Sequence, residues 1–247
     1  MERVTRHIFT AWVAVLLLAG PRALAAADDP DALYRQRADL TRAREAVAVW
    51  EARLKSNPRD FESAWKIARA TYWIGPHEER DAGRLTLERG IAAGQQAATM
   101  APNNPEGHFW TAANMGALAE SYGIRQGLRY RGAIKDNLER VLRIDPAFQK
   151  GSTYSALGRW YHRVPGLFGG SEAKSEEYLR KALTYNPDGI LVHLYLAETL
   201  FERDKDAEGT EELRRAIAGP RDPDFEPEER EMQAKASVEL SRRSKTR

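Results

Sequence analysis

Four proline-containing motifs recur along the chain at nearly constant spacing, and this recurrence restricts the possible folds more than any other feature. The prolines are Pro58, Pro102, Pro146 and Pro187, at intervals of 44, 44 and 41 residues. A fixed period of this size is typical of helical solenoids, in which each repeat contributes a pair of helices. Because proline disfavours the α conformation at the residue before it, each motif is expected to end a helix.

The segments on both sides of each proline carry apolar residues at helical spacing. The helix that follows each proline has a small residue at an equivalent place, where two helices must approach closely: Ala68, Ala112, Gly158 and Ala197. We therefore predict an all-α fold, a tetratricopeptide-like helical-repeat solenoid of stacked antiparallel helix pairs over residues 27–223. A capping helix and polar tail follow at 224–247, with Met232, Ala236 and Leu240 covering the last apolar face.

These small residues, together with the closing Asn-Pro or Asp-Pro of the units, resemble tetratricopeptide repeats over about residues 38–219. The resemblance implies a right-handed stack in which the first helix of each pair lines a concave face. We read no β-strand anywhere in the sequence.

The N-terminal segment has the order of a secretory signal peptide. Arg3 and Arg6 precede an apolar run from Ile8 to Gly20, and Ala23 to Ala25 form a small-residue cleavage box. The run is shorter than the roughly 20 residues that cross a bilayer as a helix. We expect residues 1–26 to be cleaved and the protein to be periplasmic, soluble or peripherally associated; an uncleaved anchor is the alternative.

Charge and cysteine content exclude several functions. The formal net charge is +2 with no cysteine, and without residues 1–26 the basic and acidic side chains balance. A nucleic-acid partner would require a net basic field, so we predict none. The absence of cysteine leaves no thiol nucleophile and no site for N-terminal lipidation.

Catalytic and metal-binding patterns are also missing. In "VPGLFGGSEAK" the glycines are followed by Ser171-Glu172 rather than by Lys-Ser, and the preceding segment is helical, so a phosphate loop is not predicted. The segment favours a turn, with Ser171 as the N-cap of the next helix. His77, His108, His162 and His193 lie in different units without metal-ligand spacing. We predict no catalytic residue, no cofactor and no metal.

Three consecutive units exceed the usual repeat length, with the extra residues placed between their two helices, at 74–83, 121–132 and 164–171. Stacking would align these loops along one edge, where insertions are often used for binding. The candidate edge residues are Gly75, His77, Tyr122, Arg125, Tyr130, Pro165, Phe168 and Gly169.

The first helices are rich in aromatic residues, and their inner faces also carry arginines. Such a groove suits a peptide segment or a small organic acid. The alternative is that many of these aromatics pack in the core. The candidate groove residues are Trp65, Arg69, Tyr72, Trp73, Phe109, Ser155, Arg159, His162, Arg163 and Glu198.

A narrower resemblance rests on "GHFWTAANMG", "NLERVLRIDPAF" and "STYSALGRWYHRVPGLFGGSEAKSEEYLRKALTYNP". These stretches resemble the T-component proteins of tripartite ATP-independent periplasmic (TRAP) transporters over about residues 60–200. The resemblance implies a trimeric scaffold, and thus a homo-oligomer, that docks a periplasmic solute-binding protein. The chain departs from that family in having no cysteine to lipidate. We expect a scaffold for protein–protein interaction; the alternative is a carrier of a small apolar or acidic ligand.

Overall fold

The computed structural model describes residues 29–245, which form α-helices joined by short turns, with no strand among them. The predicted signal peptide lies outside the described residues. The helices are α1 (Pro30–Arg35), α2 (Leu40–Ser56), α3 (Phe61–Ile74), α4 (Arg80–Met100), α5 (Pro105–Tyr122), α6 (Ile124–Ile144), α7 (Phe148–Arg163), α8 (Glu172–Leu183), α9 (Ile190–Phe201), α10 (Asp206–Ala218) and α11 (Glu226–Lys245).

The helices pack as consecutive pairs that stack on one another. Each of α3, α5, α7 and α9 packs against the helix that follows it, and each also contacts the first helix of the next pair. Helix α11 occupies the position that the first helix of a further pair would take, and it contacts α9 and α10. This arrangement confirms the predicted all-α helical-repeat solenoid with a C-terminal capping helix.

The helix ends lie where the proline motifs predict them. Helices α2, α4, α6 and α8 end at Ser56, Met100, Ile144 and Leu183, each shortly before its proline. Side-chain N-caps are present at the starts of α3 and α8. Asp60 accepts a hydrogen bond from the Ser63 amide, and Ser171 accepts one from the Lys174 amide.

Close approach between paired helices depends on the small residues. A Cβ atom on Gly158 would lie 2.5 Å from Leu179 Cγ, within the contact between α7 and α8. Ala68 and Ala197 are fully buried at the equivalent positions, and Ala112 nearly so. Larger side chains at these positions would force the helix pairs apart.

One of the three predicted loops is helical instead. Only Gly123, with φ of +86°, separates the end of α5 from the start of α6, so the extra residues at 121–132 lengthen the helices. The physical reason is that Tyr130, Ile134 and Leu138 recur at helical spacing and no proline interrupts them. The other two connections are short and each contains one turn of 3-10 helix, Gly75–His77 and Gly166–Phe168.

The C-terminal helix covers the apolar end of the stack. Ala236 is buried in a cluster with Ile190, Phe201 and Leu213, and Met232 and Leu240 pack against the same cluster. Gln233 Nε2 donates hydrogen bonds to the backbone carbonyls at the end of α10. None of the helices between residues 29 and 245 combines the length and apolar character needed to cross a bilayer.

Candidate partner-binding groove

A cluster of charged and aromatic side chains lies on the inner face of α5, α7 and α9. Arg159 on α7 bonds to Glu120 on α5, with 2.8 Å from Nε to Oε1, and its Nη1 donates to Glu198 on α9. Its guanidinium carbon lies 4.3 Å from the ring centroid of Tyr195. We call Tyr72, Glu120, Arg159, Tyr195 and Glu198 the central cluster, because Tyr72 on α3 interacts electrostatically with the same charges.

The charged groups of the central cluster stabilise one another's ionised forms. Burial opposes ionisation of Glu120, but the attraction and hydrogen bond of Arg159 outweigh it and lower the pKa of this carboxyl. Burial also opposes the charge of Arg159, yet the surrounding acidic groups raise its pKa. Because two carboxylates already occupy the guanidinium, Arg159 links three successive repeats and is not free to bind an anionic ligand.

The two tyrosines of the central cluster stay protonated at neutral pH. Burial raises the pKa of Tyr72 to about 12, and burial also raises the pKa of Tyr195. The ring of Tyr72 packs 5.7 Å from Trp110, measured between centroids. The groove therefore offers aromatic faces with hydroxyl groups that can donate hydrogen bonds to a bound segment.

Small residues on α5 leave space in the middle of the groove. Ala113, Gly116 and Ala117 lie on the same face of α5 as Glu120, at helical spacing. A Cβ atom placed on Gly116 would meet nothing within 4 Å. This part of the groove can accept a side chain from a bound molecule.

Helix α1 closes one end of the groove and is joined there to α11. Asp31 of α1 pairs with Lys66 at 2.9 Å and lies 3.6 Å from Arg69, and the Arg69 guanidinium stacks 4.3 Å from the Tyr34 ring centroid. Arg37, two residues after α1, lies over the same tyrosine ring and holds Glu228 of α11. The first and last parts of the stack are thus joined across the groove.

The predicted groove residues separate into a group that lies on the groove and a group that lies in the core. In the first group, Tyr72, Arg159 and Glu198 belong to the central cluster, while Trp65 and Arg69 lie beside α1. Arg163 is exposed near Glu120, and His162 Nδ1 lies 2.8 Å from Glu172 Oε2.

The second group lies in the core, as the packing alternative expects. Trp73 is buried and its Nε1 donates to the Arg37 carbonyl at 2.6 Å. Phe109 packs against Phe148, and Ser155 is 3% exposed. Because these side chains point between helices, they support the groove without lining it.

The predicted edge residues differ in exposure and in the contacts that they make. Gly75 is buried, and His77 contacts Glu231 of α11. The Tyr122 hydroxyl donates to the Arg80 carbonyl, while Arg125 and Tyr130 lie on α6. The exposed connection between α7 and α8 contains Pro165, Phe168 and Gly169.

Several residues of the groove escaped the sequence analysis. Tyr195 precedes Glu198 by three residues and Glu120 follows Gly116 by four, so helical spacing carried a usable signal for both. No local signal links Arg37 to Glu228, which lie 191 residues apart.

The described region has no metal centre. No group of three or more His, Asp or Glu side chains between residues 29 and 245 is arranged to hold a metal ion. His193 is buried with its Nδ1 2.5 Å from Glu212 Oε2 and its Nε2 2.8 Å from the Pro187 carbonyl oxygen. This histidine connects α9 to α10 and to the preceding turn.

The stacked helix pairs and the concave groove define a tetratricopeptide-like repeat protein. A family model described as "Regulator of microtubule dynamics protein 1-3" matches residues 28–167, more than half of the chain, and the chain belongs to this family. This family differs from the TRAP transporter T-component family that the sequence resembles, so the transporter assignment stays a prediction.

Solved structures with the same fold come from several bacteria. The chain is similar to TTC0263, a thermophilic TPR protein of Thermus thermophilus, with a TM-score of 0.63, 21% identity, and coverage of 85% of this chain and 97% of the other. It is also similar to Pseudomonas aeruginosa pilF, with a TM-score of 0.55, 15% identity, and coverage of 86% and 90%. At these identities the likeness shows the fold alone. No curated protein matches the chain.

Proposed function

We propose that this protein is an exported scaffold that binds a segment of another protein in its concave groove. The observation that carries the proposal is the open floor on α5, where Gly116 faces free space beside Glu120 and the central cluster. Tetratricopeptide-like solenoids display such concave faces as rigid binding surfaces. No group of three or more His, Asp or Glu side chains in the described part of the chain is arranged to hold a metal ion on this face.

The chemistry of the groove favours a peptide segment over a small acid. Arg159 is already paired with two carboxylates, so it contributes no free positive charge to a ligand anion. Tyr72 and Tyr195 instead supply aromatic surface and hydroxyl donors for a backbone. An apolar side chain of the segment would occupy the space above Gly116, and its backbone would lie along the tyrosines.

The partner we propose is a periplasmic protein, with the solute-binding protein of a TRAP-type transporter as the first candidate. The support is the predicted signal peptide and the resemblance of residues 60–200. The family's description names microtubule dynamics, so a cytoskeletal protein is one outcome that the experiment must distinguish.

The test compares two identical substitutions at helical glycines that face free space. Gly116→Leu fills the floor of the groove, whereas Gly132→Leu adds the same side chain on the exposed face of α6. Each variant, after circular dichroism has shown that it is folded, is used to capture partners from periplasmic and cytosolic extracts. We expect a stoichiometric protein that Gly132→Leu retains and Gly116→Leu loses.

The other outcomes separate the alternatives. Equal capture by both variants would show that the partner does not use the groove. A small molecule that copurifies with the unmodified chain and is lost from Gly116→Leu, with no protein captured, would establish the carrier alternative. Capture only from cytosolic extract would overturn the proposed periplasmic setting.

A further inference from the structure

The connection between α7 and α8 carries two large apolar side chains that face solvent. Leu167 is 90% exposed and Phe168 is 41% exposed. We call these two residues the apolar tip. Scattered exposed apolar residues are common, but two adjacent ones on a projecting turn are typical of a surface that contacts another phase or molecule.

Hydrogen bonds hold the tip in this orientation. The amides of Phe168 and Gly170 both donate to the Pro165 carbonyl, at 2.8 and 3.3 Å, and the Ser171 amide donates to the Tyr161 carbonyl at 2.9 Å. The tip is therefore presented on an ordered turn, so little conformational entropy is lost when it binds.

Three cations lie over aromatic rings of the tip and of the end of α7 before it, and we call them the basic ring. The guanidinium carbon of Arg131 lies 5.5 Å from the centroid of the Phe168 ring. Lys135 Nζ lies 5.5 Å from the Trp160 ring, and Lys174 Nζ lies 5.4 Å from the Tyr161 ring. The indole of Trp160 fixes the arrangement, because its Nε1 donates to the Arg131 carbonyl at 2.8 Å.

The basic ring keeps most of its positive charge. Within residues 29–245, Lys135 pairs with Glu139 at 3.5 Å, whereas Arg131 and Lys174 have no carboxylate partner. The start of α6 extends the positive surface, since residues 124–135 include Arg125 and Arg129 and no acidic residue. An apolar tip beside a surface with excess positive charge is complementary to an anionic lipid interface.

From this arrangement we infer that the protein docks on anionic membrane surfaces through the apolar tip and the basic ring. The tip enters the interface between headgroups and acyl chains, and Arg131, Lys135 and Lys174 contact lipid phosphates. The exposure of Leu167 favours a lipid surface over an acidic peptide, because an exposed leucine requires no matching pocket in a bilayer. This docking is separate from partner binding in the groove.

The test measures binding to vesicles. All described helices lie within residues 29–245, so the chain lacking residues 1–26 is used once circular dichroism shows that it is folded. Cosedimentation compares vesicles of phosphatidylcholine alone with vesicles that also contain phosphatidylglycerol. We expect binding to the anionic vesicles, weakened by salt, and weakened about tenfold or more by Leu167→Ser with Phe168→Ser.

Two matched controls locate the contact. Val238 is 70% exposed on α11, so Val238→Ser removes a comparable exposed apolar side chain and should leave binding unchanged. Because the chain has no cysteine, Leu167→Cys and Val238→Cys can each carry one environment-sensitive dye. Only the dye at position 167 should report an apolar environment with anionic vesicles.

Several results would overturn the inference. These are equal binding by the tip variant and the unmodified chain, equal binding to both kinds of vesicle, and no binding to either. Binding lost in Arg131→Gln with Lys174→Gln but retained in the tip variant would show a purely electrostatic surface, such as one for an acidic protein, and would also contradict insertion of the tip.

Discussion

The connections between the two helices of a repeat differ in their surroundings. We compare the first, between α3 and α4, with the third, between α7 and α8. In the connection between α3 and α4, Gly75 is buried and His77 contacts Glu231 of the C-terminal helix. In the connection between α7 and α8, Leu167 projects into solvent. A repeat position therefore does not determine exposure; the helices that pass over it do.

The difference arises because α11 crosses back to the first units. Arg37 and His77 hold its N-terminal half by way of Glu228 and Glu231. None of the contacts described for Leu167 or Phe168 involves α11. One end of the solenoid is therefore closed against its own C-terminus, while the third connection stays free for an external contact.

The largest expected effect is that of Arg37→Met. This substitution breaks the contact between the first units and α11, made by Arg37 with Glu228 and by His77 with Glu231, which we call the closed end. Arg37 is 3% exposed; its Nε donates to Glu228 at 2.7 Å and its Nη2 donates to the Asp224 carbonyl at 2.5 Å. Removing the charge leaves Glu228 and this carbonyl without their partner. We expect the free energy of unfolding, measured by chemical denaturation, to fall by about 3 kcal/mol.

The control for this variant is Arg129→Met, which removes an exposed arginine whose guanidinium carbon lies 5.3 Å from the ring centroid of Tyr130. It should change the free energy of unfolding by less than about 0.5 kcal/mol. If the two variants are equally stable, Arg37 does not hold the closed end.

The second prediction compares Gly83, which packs from α4 against the first connection, with Gly166 in the third connection. A Cβ atom on Gly83 would overlap the carbonyl oxygen of Gly75 and approach the Tyr122 hydroxyl, whereas one on Gly166 would meet nothing within 4 Å. Gly83→Ala should lower the free energy of unfolding by about 2 kcal/mol, because backbone atoms cannot yield easily. Gly166→Ala should be neutral or slightly stabilising. Thermal melts that rank the two variants in the opposite order would contradict the packing described for the first connection.

The sequence predicted the repeat architecture because its signals are local. Each proline limits the helix before it, so the ends at Ser56, Met100, Ile144 and Leu183 could be placed from the period alone. Repeat length predicts a loop at 121–132, whereas the apolar spacing in α6 favours a helix, and the structure follows the apolar spacing.

The closed end and the central cluster were harder to predict for a different reason. Arg37 pairs with a carboxylate 191 residues away, and neither residue stands out among the many charged side chains. Glu120 reads as a surface residue until Arg159 is placed beside it. Long-range ion pairs depend on the curvature of the stack, which no local pattern encodes.

A smaller effect is expected from His77→Ala, which loosens the first connection alone. The two ring nitrogens of His77 lie 2.6 Å from the Trp73 carbonyl oxygen and 2.8 Å from Glu231 Oε1. Loss of both contacts should cost about 1 kcal/mol and raise amide hydrogen exchange at residues 75–79 toward that of residues 166–169. Leu167→Ala should leave exchange in both connections unchanged. Unchanged exchange in His77→Ala would show that α11 closes this end without the histidine.

The smallest expected effect is a pH dependence of stability that arises from two carboxylates, Glu229 and Glu120, whose pKa values are shifted in opposite directions by their surroundings. Burial raises the pKa of Glu229 near the closed end. For Glu120 in the central cluster, Arg159 outweighs burial and lowers the pKa. A lowered pKa contributes stability above the unfolded-state value, about 4.3, that is lost as the pH falls through the folded-state value. A raised pKa contributes stability that is lost as the pH rises through the folded-state value.

Unfolding midpoints measured between about pH 3 and pH 7 should therefore separate the two groups. The stability difference between the unmodified chain and Glu120→Gln should shrink as the solution is acidified, because protonated Glu120 no longer pairs with Arg159. The stability of the unmodified chain relative to Glu229→Gln should instead rise as the solution is acidified, because acid favours the buried neutral form of Glu229. Parallel pH profiles for the two variants would mean that Arg159 does not outweigh burial at Glu120, and that the central cluster is held by packing more than by charge.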